Sequence, residues 1–376
     1  MGSLSGYTAI ELAGIGPGPM AGMMLSDMGA RVILVERMPG NGERGNSIGM
    51  RGKESIAVNL KHPEGLSVIL KLVERADVLI DPYRPGVCER LGLGPEVCLE
   101  RNPGLVYGRI TGWGQDGPLA NSPGHDLGYL SITGALHAIG EDGAKPQIPL
   151  NMVADMGGGG MLLLNGILAA LLERGKSGRG QVVDAAMVDG AILQLISIHE
   201  MIGKDSWDPH RRGVNLLDGG AHHYNVYECA NGKFITISAL EHKFHAFLLD
   251  ALGLDQDDVP NRNDPSRWPA YRELLASIFK TRSRQEWCEL LEGTDACLSP
   301  VLDLEEAPRH PANRARSSHV TVDGIVQPAP APRFSRTDSL VRHGAPAPGE
   351  HTRSILLELG VKPSRIGELV GTGTVG

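Results

Sequence analysis

The chain has 376 residues and a mass of 40.1 kDa, too long for one ordinary core and suited to two domains. Hydrophobic residues make up 41% and charged residues 21%, which excludes a disordered polymer. The net charge of −8 excludes a general nucleic-acid binder, which needs a basic face. The five cysteines (Cys88, Cys98, Cys229, Cys288 and Cys297) form neither a C-x-x-C pair nor a metal-ligand spacing, and point to a reducing compartment. No basic region followed by an apolar run opens the chain, so no signal peptide is expected. The most apolar stretch, 161–172, is shorter than the roughly 20 residues that cross a bilayer. The expectation is a cytoplasmic protein without membrane contact.

In chain order, 7–13 reads as a strand, 19–28 as a helix and 31–36 as a second strand. A third strand is expected over 55–60, a helix from Pro63 to about Ala76, and further strands over 77–81 and 105–111. This alternation predicts a parallel sheet covered on both faces. From Tyr224 the pattern changes. Residues 224–229 and 233–238 flank Ala230-Asn231-Gly232, the signature of a type I′ hairpin. Helical stretches follow over 242–252 and 268–291, so this part reads as a separate α+β unit. The proline-rich run 327–333 reads as a stiff linker, and 354–359 as a short helix able to pack back on the first domain.

Gly14-Ile-Gly16-Pro-Gly18-Pro19 sits between a strand and a helix, with Glu36 ending the next strand. The pattern approaches a dinucleotide fingerprint. However, proline stands at the third glycine position, and two prolines remove backbone donors that a phosphate needs. A tight strand-to-helix turn without a ligand accounts for it better. Asp155 precedes four glycines and then a long apolar helix. A helix-start aspartate is stabilised by the dipole. Each glycine weakens such a start by about 0.5–1 kcal/mol, which suggests that something large approaches the backbone there. His125 follows Gly124 and precedes a helix expected over 127–138, where the dipole favours a neutral imidazole. Glu241 opens the helix after the hairpin. His222-His223 lacks a third ligand at a recognisable spacing, so no metal is expected there. Arg37, Lys61, Arg84 and Arg90 lie at or after the ends of the second, third and fourth strands, where open α/β sheets bind ligands.

Several stretches together resemble the family III CoA-transferase (CaiB/BaiF) superfamily. They are ELAGIGPGP from Glu11, DVLIDPYRPGV from Asp77, ERLGLGP from Glu89 and TGWGQDGP from Thr111. The match continues with Gly124-His-Asp, GQVVDAAMVDG from Gly180, LDGGA from Leu217 and PAPRFSRT from Pro330, in register from about residue 4 to 340. The resemblance implies a Rossmann-like parallel-sheet large domain plus a smaller α+β domain, in an interlocked homodimer. Residues 1–190 and 330–376 would form the large CoA-binding domain and 224–315 the small one, with 191–223 and 316–329 as linkers. The family's active site lies between one chain's large domain and the other chain's small domain. The implied activity is racemisation at C2 of a 2-methylacyl-CoA thioester, with His125 and Asp155 as the two bases. Asn151 would hold Asp155, and Glu241 would hold His125. CoA contacts would fall on Arg37, Asn59, Leu60, Lys61, Tyr83, Arg84 and Arg90, with Gly124 and Tyr129 beside the thioester. No metal and no nicotinamide are implied, because CoA is part of the substrate.

Such a reaction removes the α-proton on one face, passes through an enolate and returns a proton on the other face, so it needs two opposed groups. The backbone N–H of Asp126 is expected to serve the enolate oxygen. Two alternatives stand beside it. In CoA transfer, Asp155 would attack a thioester and carry the acyl group as an anhydride; the Gly-His-Asp spelling favours the racemase. An oxidoreductase would rest on the glycine turn alone. The acyl group is open: branched fatty acyl, sterol side chain and arylpropanoyl all place the same carbon between the bases.

Overall fold

The computed structural model describes residues 1–38, 48–255 and 257–376. The chain divides into two compact units, one of residues 1–133, 150–194 and 316–376 and the other of residues 134–149 and 195–315.

The first unit is built on a six-stranded sheet: β1 (Thr8–Leu12), β2 (Arg31–Glu36), β3 (Glu54–Ala57), β4 (Val78–Asp81), β5 (Val106–Thr111) and β6 (Val182–Ala186), in the spatial order β3-β2-β1-β4-β5-β6. All its strand pairs are parallel. The run Val32-Ile-Leu-Val is buried throughout, as expected for a strand covered on both faces. The helix Pro63–Val73 starts with proline at its first position, and the His62 ring accepts the Glu64 N–H at 3.3 Å; both features favour a helix start. Its Ile69 and Val73 pack with Ile10, Ile33 and Leu79 of the sheet and with Ile355, Leu356, Ile366 and Leu369 near the C-terminus. Those last four belong to the helices Thr352–Glu358 and Pro363–Gly371.

Several elements differ from the sequence reading. The third strand stops at Ala57, because Asn59 donates its N–H to Thr374 O at 2.9 Å instead of extending a ladder. The helix after His125 runs only from Asp126 to Ile132; Gly134, at φ 85°, breaks it before a separate turn at Ala135–Ala138. Part of the expected linker 327–333 is structured: Ile325–Pro328 pairs antiparallel with His319–Val322, and Gln327 is buried. The apolar stretch 161–172 belongs to a 26-residue helix from Met152 to Ser177, long and apolar enough to cross a membrane by length and composition. Its Leu163 and Ile167 press on Gly108 of β5, so it covers the sheet.

The second unit carries a three-stranded antiparallel sheet of β7 (Tyr224–Glu228), β8 (Phe234–Ser238) and β9 (Leu298–Pro300). The hairpin turn is not type I′. Of its residues only Gly232 has positive φ (71°), and Cys229 N–H reaches Lys233 O at 2.8 Å, which makes a three-residue loop; left-handed glycine at the end of such a loop is its usual ending. Helices span His242–Ala251, Trp268–Phe279 and Arg284–Leu291. The expected single stretch 268–291 is split because Ser283 and Glu286 form a capping box that starts a new helix. Ile235, Ile237, Leu248, Leu275, Phe279 and Trp287 form the core of this unit.

Candidate active site

The order of the first sheet reverses between β1 and β4, and in open parallel sheets the crevice at that point is where ligands bind. A cavity of about 520 Å³ opens there. Its walls are the loops that follow three adjacent strands: Gly14–Pro17 after β1, Pro82–Pro85 after β4, and Gly112-Trp113 after β5. His125, Tyr129, Asn151 and Asp155 complete it.

The Gly14–Gly18 turn serves packing. A Cβ on Gly14 would stand 2.7 Å from the Pro82 ring, so the β1 and β4 loops meet only because residue 14 is glycine. Gly16, at φ 70°, precedes the helix Pro17–Asp27, and a Cβ there would lie 3.6 Å from Asp155 Oδ2. The carboxyl of Asp155 therefore rests against this turn.

His125 is the exposed N-cap residue of the helix Asp126–Ile132, in extended backbone. Asp126, the first helical residue, has a buried carboxylate. One of its oxygens accepts the N–H groups of Ala154 at 3.0 Å and Asp155 at 2.7 Å. The backbone N–H of Asp126 has no intrahelical acceptor, as at any helix start.

Asp155 lies in the first turn of the π-helical segment Met152–Met161, half-buried. Burial pushes its carboxyl above the usual carboxylate range, and the neighbouring Asp126 adds to this; an Asn151 hydrogen bond and the His125 charge pull the other way. A carboxyl held in this way can carry a proton at a higher pH than an exposed aspartate, as acid–base work requires.

The glycine run is explained by helix packing, which meets the expectation that something large approaches the backbone there. A Cβ on Gly158 would lie 2.8 Å from Ala191 N and 2.9 Å from Met187 O, in the helix Met187–Leu193. Gly159 and Gly160 face Pro17 and Met20. The large object that comes close is the backbone of neighbouring helices.

Tyr129 is wedged between glycines. Added Cβ atoms on Gly112 and Gly124 would stand 2.0 and 2.6 Å from its ring. Its hydroxyl donates to Gly124 O, and Trp113 packs edge-on at 4.8 Å. Burial raises the pKa of Tyr129, with Asp155 as a further cause. Trp113 lines the cavity as well; it lies in the TGWG stretch, whose spelling does not say which way the indole points.

Among the expected CoA contacts, Tyr83, Arg84, Gly124 and Tyr129 line the cavity. Arg37 follows β2, Asn59 to Lys61 follow β3, and Arg90 ends the short helix Val87–Arg90 beyond β4. All stand at the carboxyl edge of the sheet and outside the cavity lining. Arg37 is close enough for its charge to act on Tyr83. Glu241 belongs to the second unit, where it is the exposed N-cap residue of the helix His242–Ala251 and acts electrostatically on Arg262.

The model of CoA-transferase family III matches residues 4–352. This chain belongs to that family. The family III chain is 42% identical to mouse alpha-methylacyl-CoA racemase, covering 97% of itself and 96% of the relative. It is 40% identical to the human racemase over 98% and 96%. Among solved structures, a CaiB/BaiF family protein from Brucella suis superposes with a TM-score of 0.81 at 27% identity, over 95% of this chain and 99% of the other.

Proposed function

We propose that this protein interconverts the two configurations at C2 of a 2-methylacyl-CoA thioester. Relatives named alpha-methylacyl-CoA racemase, 40–42% identical over nearly the whole chain, support it. The observation that carries the reading is that an imidazole, His125, and a protonatable carboxyl, Asp155, line one cavity from two different helix starts.

The chemistry follows from those two groups. An α-proton of a thioester is weakly acidic, so a base must meet it as an enolate forms. His125 takes the proton from one antipode while Asp155, protonated, delivers one to the opposite face; the roles exchange for the other antipode. Each transfer contributes about 10²–10⁴-fold. The backbone N–H of Asp126 faces the enolate oxygen, and a donor of this kind contributes about 3–4 kcal/mol. Asn151 orients Asp155. Tyr83 and Arg84 at the cavity, and Arg37, Asn59, Leu60, Lys61 and Arg90 along the sheet edge, hold the CoA moiety. Gly124 and Tyr129 shape the thioester end. The working unit is a homodimer in which Glu241 of one protomer orients His125 of its partner. No metal or nicotinamide takes part in the proton transfer.

The test is proton NMR of the purified protein with one antipode of a 2-methylacyl-CoA in D₂O, without a second acid. Loss of the α-proton signal with growth of the other antipode is expected. An intact α-proton, together with acyl exchange onto an added carboxylate, would replace this reading with CoA transfer through Asp155.

A further inference from the structure

A third imidazole joins the His222-His223 pair in the second unit. His222 and His223 lie in the turn that leads into β7, and His245 lies in the helix His242–Ala251. Their exposures are 0%, 1% and 4%. One ring nitrogen from each lies within 4.8 Å of the other two, and His222 Nε2 stands 3.0 Å from His245 Nε2. Two nitrogens bound to one zinc are roughly 3.3 Å apart when each bond is about 2.0–2.1 Å, so small side-chain rotations close the set.

The rival reading is an aromatic core. The three rings do pack edge to face, with centroids 4.7, 5.2 and 5.5 Å apart, and Tyr271 and Trp268 surround them. Phenylalanine or tyrosine would give the same packing without buried nitrogens. Here, among the described residues, Nδ1 of His222 and of His223 are buried with no hydrogen-bond partner. Each such orphan costs about 1–3 kcal/mol. Packing alone leaves that cost unanswered; an ion answers it at any ring it coordinates through Nδ1, each imidazole giving one nitrogen to the metal.

We propose that His222, His223 and His245 form a binding site for one divalent transition metal of the zinc type, which ties the turn before β7 to the helix His242–Ala251. Three imidazoles without thiolate or carboxylate suit zinc, copper(II) or nickel(II) and disfavour calcium and magnesium. The charged groups around the cluster are Arg262, whose charge reaches all three rings, and Arg272, which reaches His222. Both are cationic, so the ion takes an anionic fourth ligand such as hydroxide or chloride. His245 also lines a cavity of about 330 Å³ with Arg262, Asn261 and Asp264, which gives the ion a route in. Local spacing offers His222-His223 no third ligand; His245 stands 23 residues away from His222 on another element, a separation no local spacing reveals.

The experiment uses the untagged full-length chain, stripped with a chelator and titrated with zinc and with cobalt(II). Wild type should bind one equivalent of zinc per chain, give the intense visible absorption of a low-coordinate cobalt(II) site, and melt at higher temperature with zinc. His245→Phe and His223→Phe, which keep the ring packing, should lose all three responses. X-ray absorption of the zinc-loaded wild type should show a nitrogen-dominated shell at about 2.0 Å, a readout that stands if the variants fail to fold. Equal zinc uptake by the folded variants, no uptake by wild type, or a shell without imidazole would each overturn the assignment.

Discussion

Asp126 holds Asp155 from behind: one Asp126 carboxylate oxygen accepts the N–H of Asp155 at 2.7 Å and that of Ala154 at 3.0 Å. The other oxygen is buried without a hydrogen-bond partner among the described residues. Its negative charge is one reason why the Asp155 carboxyl is raised, second to burial. Asp126 is thus a positioning residue that also sets when Asp155 carries its proton.

Asp126→Asn separates these roles. The asparagine carbonyl still accepts both N–H groups, but the charge is gone, so the Asp155 pKa should fall. The pH–rate limb that reports Asp155 should move to lower pH in both directions of reaction. The rising limb moves because Asp155 ionises sooner as a base; the falling limb moves because it loses its proton sooner as an acid. Asp126→Ala should also unfold the protein more easily by several kcal/mol, since two buried donors lose their acceptor at about 1–3 kcal/mol each. An unmoved limb in a folded Asp126→Asn protein would remove Asp126 from the tuning of Asp155.

His125→Ala should split the two antipodes. Exchange from the antipode whose proton His125 removes should fall about 10²–10⁴-fold, while single-turnover exchange from the other, served by Asp155, should fall much less. Glu241→Gln should lower turnover while the melting temperature stays near wild type, as the proposed contact between Glu241 and a partner's His125 requires. Equal losses from both antipodes in His125→Ala, read by α-proton exchange in D₂O, would contradict the two-base assignment.

Much of this site was legible, and the gaps have physical causes. His125 and Asp155 stood out because each pairs a titratable group with a helix start, and local sequence records that arrangement. The meaning of Gly158 and Gly159 did not, because only the fold brings Met187 and Ala191 against them. β2 was legible from its buried Val-Ile-Leu-Val run, whereas β6 was missed: it is an edge strand with Val182 and Asp184 less buried than its last two residues. His245 was invisible as a partner of His222 for the same reason as Ala191. Contacts between elements leave no spacing to count.

The glycine packing makes its own prediction. A Cβ on Gly190 would stand 2.0 Å from Gly158 O and 2.5 Å from Gly158 Cα, backbone atoms that cannot rotate away. Gly190→Ala should therefore destabilise by at least about 3 kcal/mol, the upper range for overpacking, measured by denaturant unfolding. Gly175→Ala, in the helix Leu162–Ser177 with no atom within 4 Å of the added Cβ, is the control. It should stabilise by up to about 1 kcal/mol through helix propensity.

The last prediction concerns Arg51, which joins the 319–328 hairpin to the body of the first unit. Its guanidinium donates to Asp27 at 2.6 and 3.2 Å, to Gln327 Oε1 at 2.8 Å and to Pro328 O at 2.7 Å. Both partners of the Arg51–Asp27 pair are almost fully buried, at 2% and 4% exposure. Burial pushes the Asp27 carboxyl up, against the pull of Arg51, so the pair balances desolvation against charge attraction and adds little net stability by its presence. Breaking it is different. Arg51→Met leaves Asp27 buried and unpaired and should cost about 3–5 kcal/mol. Adding Asp27→Leu removes the orphaned charge and should recover most of that loss. Two-state urea unfolding of the single and double variants decides it. Additive losses would mean that Arg51 acts through Gln327 and Pro328, as a clamp on the hairpin, and not through Asp27.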